Sequence, residues 1–214
     1  MNLPLDITEL RHRWQNGERF EFYPFYGHKP PVSGVDASCL SQWFVRDFSV
    51  DGHQYATAEH WMMAEKARLF LDNEMLTAIL NSESPRDAKA LGRKVKGFDA
   101  ATWNEHKFEI VVRGNRAKFS QNSQLMQFLL ATAEVETEFK MVAEAPQVYK
   151  IGDGSNSNTR SASNAILVEA AARDAIWGIG LGQNNPKSRD PMQWRGENLL
   201  GFALTKIREQ LLND

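Results

Sequence analysis

A single cysteine, Cys39, in 214 residues excludes an intramolecular disulfide and any zinc site built from cysteines. The histidines are His12, His28, His53, His60 and His106. They form no i, i+4 pair and no His-Glu-x-x-His, so no metal centre is expected. No apolar run approaches the roughly 20 residues of a membrane helix, and the first residues lack the basic-then-apolar order of a leader. A cytoplasmic location without a membrane partner is the expectation. Neither sign of charge dominates, with 25 Lys+Arg against 27 Asp+Glu. That excludes a protein that grips nucleic acid by bulk charge, but it leaves room for a local basic groove.

What is present reads as one folded domain. Hydrophobic residues make up 42% and charged residues 24%, ordinary values for a globular chain. Asp6-Ile-Thr-Glu9 has the form of a capping box, and the helix it opens should stop at Gly17. The chain then looks extended through the aromatic stretch 19–26. Phe48 and Val50 lead into Asp51-Gly52, with His53-Gln-Tyr55 beyond, a hairpin signal. From Thr57 the pattern becomes helical, with capping residues at Thr57, Asp72 or Asn73, Ser84 (before Pro85), Asp99, Asn122 or Ser123, and Asn198. A short apolar run at 165–170 reads as a buried strand. The expected class is α+β: a predominantly helical single domain with a small antiparallel β element. Residues 1–19 form an N-terminal helical extension, 20–214 the main domain, and about 134–164 a polar surface insertion.

The helix after Thr57 carries charge where apolar residues belong. Met62, Met63, Leu69 and Phe70 define an apolar face, with Trp61 at its margin. Glu59 and Lys66 are seven apart and project along the middle of that face, about 10 Å from each other along the axis. Such placement marks either a pocket or side chains that pair elsewhere or emerge at the edge. In the first helical turn Glu59 is favoured as an anion, which suits a base or cation stabiliser better than a proton donor.

A glycine-rich stretch follows at Asp174-Ala-Ile-Trp177-Gly178-Ile-Gly180-Leu-Gly182. Its spacing is not that of a dinucleotide fingerprint. Either its backbone N–H groups cradle phosphate and Trp177 stacks on a base, or it is a structural turn with Trp177 as a core anchor. Arg93, at a helix end, is the basic residue best placed to reach a phosphate. Asn198 reads first as a helix cap and second as a ligand contact.

Several blocks in order carry a family resemblance: Cys39-Leu-Ser-Gln-Trp43, Tyr55-Ala-Thr-Ala-Glu59-His-Trp61 through Lys66, Leu91-Gly-Arg93, Lys118-Phe119, Leu167-Val-Glu169, Asp174 to Gly180, and Trp194-Arg-Gly-Glu-Asn198. Over roughly residues 20–212 the chain resembles the NADAR superfamily, associated with NAD and ADP-ribose, which includes YbiA-like N-glycosidases. The resemblance implies cleavage of an N-glycosidic bond at a ribose anomeric carbon. One branch acts on phosphorylated ribosylamino intermediates of riboflavin synthesis; another removes ADP-ribose from guanine in nucleic acid, countering an ADP-ribosyltransferase. It implies Glu59, Lys66 and Asp174 as catalytic residues, with Trp43, Trp61, Arg93, Lys118, Trp177, Gly178, Gly180 and Asn198 as substrate contacts. No cofactor is implied. The partners are a ribosyl-phosphate or ADP-ribose-like small molecule, ADP-ribosylated nucleic acid in the second branch, and functional pairing with a transferase.

Two features depart from the commonest pattern: Ser41-Gln42, where many members carry Ser-Asn, and the length of the insertion. Both bear on the substrate and not on the chemistry. Two routes to bond cleavage are open. A carboxylate, Glu59 or Asp174, stabilises the cation and activates water; or Lys66 attacks the anomeric carbon and forms an imine, with Glu59 as proton partner. Burial would lower the pKa of Lys66 and an anionic Glu59 would raise it. The rival reading is a module that binds ADP-ribose or NAD without turnover.

Overall fold

The structure is a computed structural model that describes residues 2–133 and 165–214. The expected insertion at 134–164 lies outside the described residues. Seven helices are present among those described: α1 (Ile7–Gln15), α2 (Ala58–Leu69), α3 (Asn73–Leu80), α4 (Pro85–Gly92), α5 (Ala100–Ser120), α6 (Ser123–Ala131) and α7 (Leu199–Asn213). Most start where the sequence places a cap. Asp6, Thr57, Asp72, Ser84 and Asp99 each accept a hydrogen bond from a backbone N–H in the first turn, which satisfies a donor the helix leaves free.

The antiparallel element is the expected hairpin, β2 (Phe48–Val50) with β3 (His53–Tyr55), in the register Phe48↔Tyr55. Asp51 and Gly52 both have positive φ, as a two-residue hairpin turn whose twist matches its strands requires. A second pair, β1 (Phe22–Phe25) beside β4 (Ile166–Glu169), is parallel, with Phe25 opposite Glu169. Strand β4 is buried on both faces. Leu167 enters the main core with Trp61, Val111, Leu200 and Leu204. Ile166 and Val168 enter a second core with Leu10, Ile179, Trp194 and Phe202. A strand covered on both sides reads as a continuous apolar run, and Ala-Ile-Leu-Val is such a run.

Helix α2 is internal. Its first two turns are buried all round, from Ala58 to Ala64, and α3, α4 and α5 pack against it. The one-sided face expected from Met62, Met63, Leu69 and Phe70 is therefore a partial description: neighbouring helices cover the helix on several sides. Close approach to α5 depends on Gly114, where an added Cβ would lie 2.0 Å from the Trp61 ring. Gly114→Ala should cost about 1–3 kcal/mol by overpacking, read as a fall in the urea midpoint with an unchanged slope.

The N-terminal helix docks on the domain. Leu10 is fully buried, and the Arg11 guanidinium donates to the carbonyls of Pro191 (3.0 Å) and Trp194 (2.8 Å). Arg208 of α7 is also fully buried and donates to the carbonyls of Thr132 and Ala165, so it holds together the two described chain ends that flank 134–164.

Candidate active site

Three carboxyl groups from separate elements converge beside α4. Glu59 stands in the first turn of α2, with its backbone N–H donated to Gln42 O at 3.0 Å. Glu169 ends β4, and Asp174 lies in the turn that follows. Glu59 is 2% exposed, yet its Oε1 has no hydrogen-bond partner. Lys89 of α4 places Nζ 4.0 Å from that same oxygen. The Trp43 ring lies beside the same amine, 5.8 Å from Lys89 Nζ, and Trp43 and Arg93 both favour the charged form of Glu59. Glu169 likewise has a buried Oε2 with no partner.

Electrostatics decides the protonation of this cluster. Burial pushes Glu59 up from an ordinary 4.5 to about 7; the Asp174 charge adds to the rise, while Lys89, Trp43 and Arg93 oppose it. Burial also pushes Glu169 up to about 8, helped by Asp174 and Glu59. For Glu59 the shift is worth roughly 3 kcal/mol in favour of the neutral acid. A first-turn position offers the anion only about 0.3–1 kcal/mol. Desolvation outweighs the helix-start preference, so the acid form of Glu59 is well populated near neutral pH. The side chain can give a proton as well as take one, where the helix-start argument alone favoured a base.

The turn that carries Asp174 is rigid. Asp174 Oδ1 accepts from the N–H groups of Ile176 (3.0 Å) and Trp177 (2.8 Å). Ile179 donates to Glu169 O and Gly180 to Asp174 O, each at 2.9 Å. A Cβ on Gly178 would stand 2.8 Å from Glu169 O, and Gly180 has φ +67°. The N–H groups of Ile176, Trp177, Ile179 and Gly180 are thus all spent inside the fold, and Trp177 packs on the main core. Of the two readings of this stretch, the structural turn prevails: it fixes Asp174 against Glu169.

The other candidates divide by position. Trp43 is half-buried at the cluster, with His28 on its ring at 5.3 Å; Arg93 is exposed at the end of α4. Lys66 is not joined to the carboxyl cluster. Its Nζ lies 4.2 Å from the Phe98 ring centroid and 5.7 Å from that of Trp103, and burial alone lowers its pKa. Trp61, Lys118 and Asn198 are buried and spend their polar atoms within the protein. Trp61 donates to Ile110 O and Lys118 to two carbonyls of the 39–41 turn. Asn198 makes no side-chain cap bond. Instead its Oδ1 accepts from Glu169 N and its Nδ2 donates to Leu167 O, each at 3.0 Å.

Sequence reasoning had placed neither Glu169 nor Lys89 in the site. A charge that ends an apolar strand was the available signal for Glu169; nothing in the sequence singles Lys89 out from the neighbouring cations Arg86, Arg93, Lys94 and Lys96. Cys39 is no nucleophile, since burial pushes its thiol up to about 12. Among the described residues no group of three or more His, Cys, Asp or Glu side chains could hold a metal ion. Two grooves, of about 890 Å³ between the chain ends and about 270 Å³ beside His60, are lined by none of the cluster residues. Chemistry rather than size therefore marks the site: perturbed carboxyls with unsatisfied buried oxygens.

The NADAR domain model matches residues 24–165 and 155–212. The chain belongs to the NADAR family. Among similar proteins, an N-glycosidase of Acanthamoeba polyphaga mimivirus is 36% identical over 191 residues, 87% of this chain and 94% of that one. N-glycosidase YbiA of Escherichia coli is 29% identical over 176 residues, 82% of this chain and 81% of its own. The NMR structure of YbiA superposes with a TM-score of 0.62 at 26% identity, covering 99% of this chain and 94% of YbiA. A riboflavin biosynthesis protein of Vibrio vulnificus is 26% identical over 182 residues, 84% of this chain but 46% of that protein. This NADAR chain thus shares an α+β fold with YbiA. No helix among its described residues is long and apolar enough to cross a membrane.

Proposed function

We propose that this NADAR protein is an N-glycosyl hydrolase in which Glu59 first gives a proton to the departing nitrogen and then takes one from the attacking water. The reaction class rests on the relatives named N-glycosidase. The observation that carries the mechanism is the pair of buried carboxyls raised to about 7 and about 8 beside a third, Asp174, pinned by two backbone N–H groups. As the bond from the anomeric carbon to nitrogen breaks, its electrons leave with the base. Glu59 supplies the proton that makes the base a neutral leaving group. The ribosyl cation is then flanked by the Asp174 charge. Water adds to the anomeric carbon and returns its proton to the Glu59 carboxylate, which closes the cycle. Glu169, neutral at the same pH, is placed to hydrogen-bond a ribose hydroxyl, and Lys89 and Arg93 to meet the phosphate.

A second reading keeps Lys66 as nucleophile. The lowered pKa of its half-buried amine supports it, since burial opposes the ammonium and Glu59 in its acid form does not stabilise it. The imine it would form is trapped by borohydride. Under the carboxyl route Lys66→Ala raises KM, leaves kcat within about tenfold, and borohydride traps no adduct. A trapped adduct lost in that variant would establish the lysine route.

For substrate, the reading is a phosphorylated riboside: either ADP-ribose on guanine in nucleic acid or a phosphorylated ribosylamino-pyrimidine. Liquid chromatography with mass spectrometry, run on a guanine-ADP-ribosylated oligonucleotide and on that pyrimidine in parallel, tests it by release of the base. Release from one names the substrate. Binding of ADP-ribose with release from neither would make the protein a non-catalytic module.

A further inference from the structure

We propose that Lys118 and Asn115, one turn apart on α5, are positioning residues: from inside the core they clamp the 39–43 turn so that the Trp43 indole flanks the Glu59 carboxyl. The inference rests on Glu59 being the proton donor of the preceding reading. Lys118 is 0% exposed, and its Nζ donates to Cys39 O at 2.7 Å and to Ser41 O at 2.9 Å. The rings of Phe44 and Phe119 lie 5.7 and 5.1 Å away, and Lys118 makes no ion pair among the described residues. Asn115, also 0% exposed, donates to Gln42 Oε1 at 2.7 Å.

Cys39 O, Ser41 O and the Gln42 side-chain oxygen are thereby held. Gln42 O in turn takes the Glu59 N–H at 3.0 Å, and Ser41 Oγ takes the Trp43 N–H at 3.1 Å. The turn thus reaches Glu59 at its backbone through Gln42 and flanks its carboxyl with Trp43, whose ring lies 5.8 Å from the Lys89 Nζ that stands 4.0 Å from Glu59 Oε1.

Stability alone does not account for a lysine here. An ammonium with no carboxylate partner is costly to bury, and an apolar side chain of similar volume is often neutral or stabilising in its place. The geometry gives the cost a use. Two carbonyls two residues apart are tied to one rigid helix. The next two residues are Gln42, whose carbonyl takes the Glu59 N–H, and Trp43, whose ring lies by the amine that faces Glu59. Substitution on α5 should therefore be felt at a carboxyl that neither α5 residue touches.

The test is a substrate-free titration of the Glu59 side chain by 13C NMR in wild type, Trp43→Phe, Lys118→Met, Asn115→Leu and the double variant Trp43→Phe/Lys118→Met. The Trp43 indole favours the charged carboxyl, so its loss in Trp43→Phe should move the Glu59 midpoint up by roughly one pH unit, the scale of a polar group's interaction with a charge. Lys118→Met should move it in the same direction by at least half as much, and Asn115→Leu likewise. The double variant should add nothing to Trp43→Phe, as expected of residues acting through one side chain. A midpoint left at the wild-type value in folded Lys118→Met and Asn115→Leu would overturn the clamp. An equal extra shift on the Trp43→Phe background, or failure of both variants to fold, would do so too. A wild-type Glu59 titrating in the ordinary range would instead contradict the proton-donor reading itself.

Discussion

Glu59→Gln lowers kcat/KM by about 10²–10⁴, the usual worth of a general acid, and at the same time makes the protein more stable at pH 8. The two effects have one origin. In the folded state Glu59 is raised to about 7 and Glu169 to about 8, so between the ordinary carboxyl range and pH 8 the native protein binds more protons than the unfolded chain. Stability then falls as pH rises across that window. The benefit of the neutral acids is complete below about pH 4.5 and gone above about pH 8. Glutamine has the shape of the neutral acid and never ionises, so the variant escapes the Glu59 part of the loss. The shift is worth roughly 3 kcal/mol at pH 8. Other titrating groups, His60 and Lys118 among them, cancel in the comparison between variant and wild type. Urea melts at pH 5 and pH 8 check the claim: the two proteins should be close at pH 5 and the variant ahead at pH 8. A variant less stable than wild type at pH 8 would contradict the buried neutral acid.

Asn198→Ala removes about 2–5 kcal/mol of stability and most of the activity together. Its side chain satisfies Glu169 N and Leu167 O, two backbone groups of a buried strand, and an orphaned buried group costs about 1–3 kcal/mol. The residue sits at φ 55°, a conformation asparagine tolerates better than alanine. Gly201 makes the arrangement possible, since a Cβ there would lie 2.5 Å from both amide atoms of Asn198 and 2.1 Å from Leu167 O. Because the same bond sets the end of β4, the Glu169 carboxyl shifts when it is lost. Asn198→Asp keeps the acceptor for Glu169 N and loses the donor for Leu167 O, and should fall between the two. Equal stability of Asn198→Ala and wild type in urea would show that the bridge is not holding the strand.

Local signals were readable and long-range ones were not. Asp6, Thr57, Ser84 and Asp99 announce helix starts because a cap needs only the next three residues. Asp51-Gly52 announces the hairpin for a similar reason. The parallel pairing of β1 with β4 joins positions 22–25 to 166–169, and nothing local at either end encodes it. In the site, Glu59 stood out as a charge on an apolar pattern, but its proton did not. The helix-start argument saw the dipole, whereas burial by α4, β4 and the 171–180 turn comes from distant sequence. For the same reason Lys118, a helical cation in sequence, proves to be inside the core, and the amine at Glu59 is Lys89 and not Lys66.

The central claim is that Glu59 is well populated in its acid form at neutral pH, and titration of the glutamate side-chain carboxyls by 13C NMR from pH 3 to pH 10 tests it directly, with Glu59→Gln and Glu169→Gln to assign the signals. The account predicts one carboxyl with a midpoint near 7 and another near 8, each lost in its own variant, with the Glu169 midpoint moved down in Glu59→Gln, where its neighbour's charge is removed. Glutamates that all titrate between about 4 and 5, the range of exposed carboxyls, would contradict it.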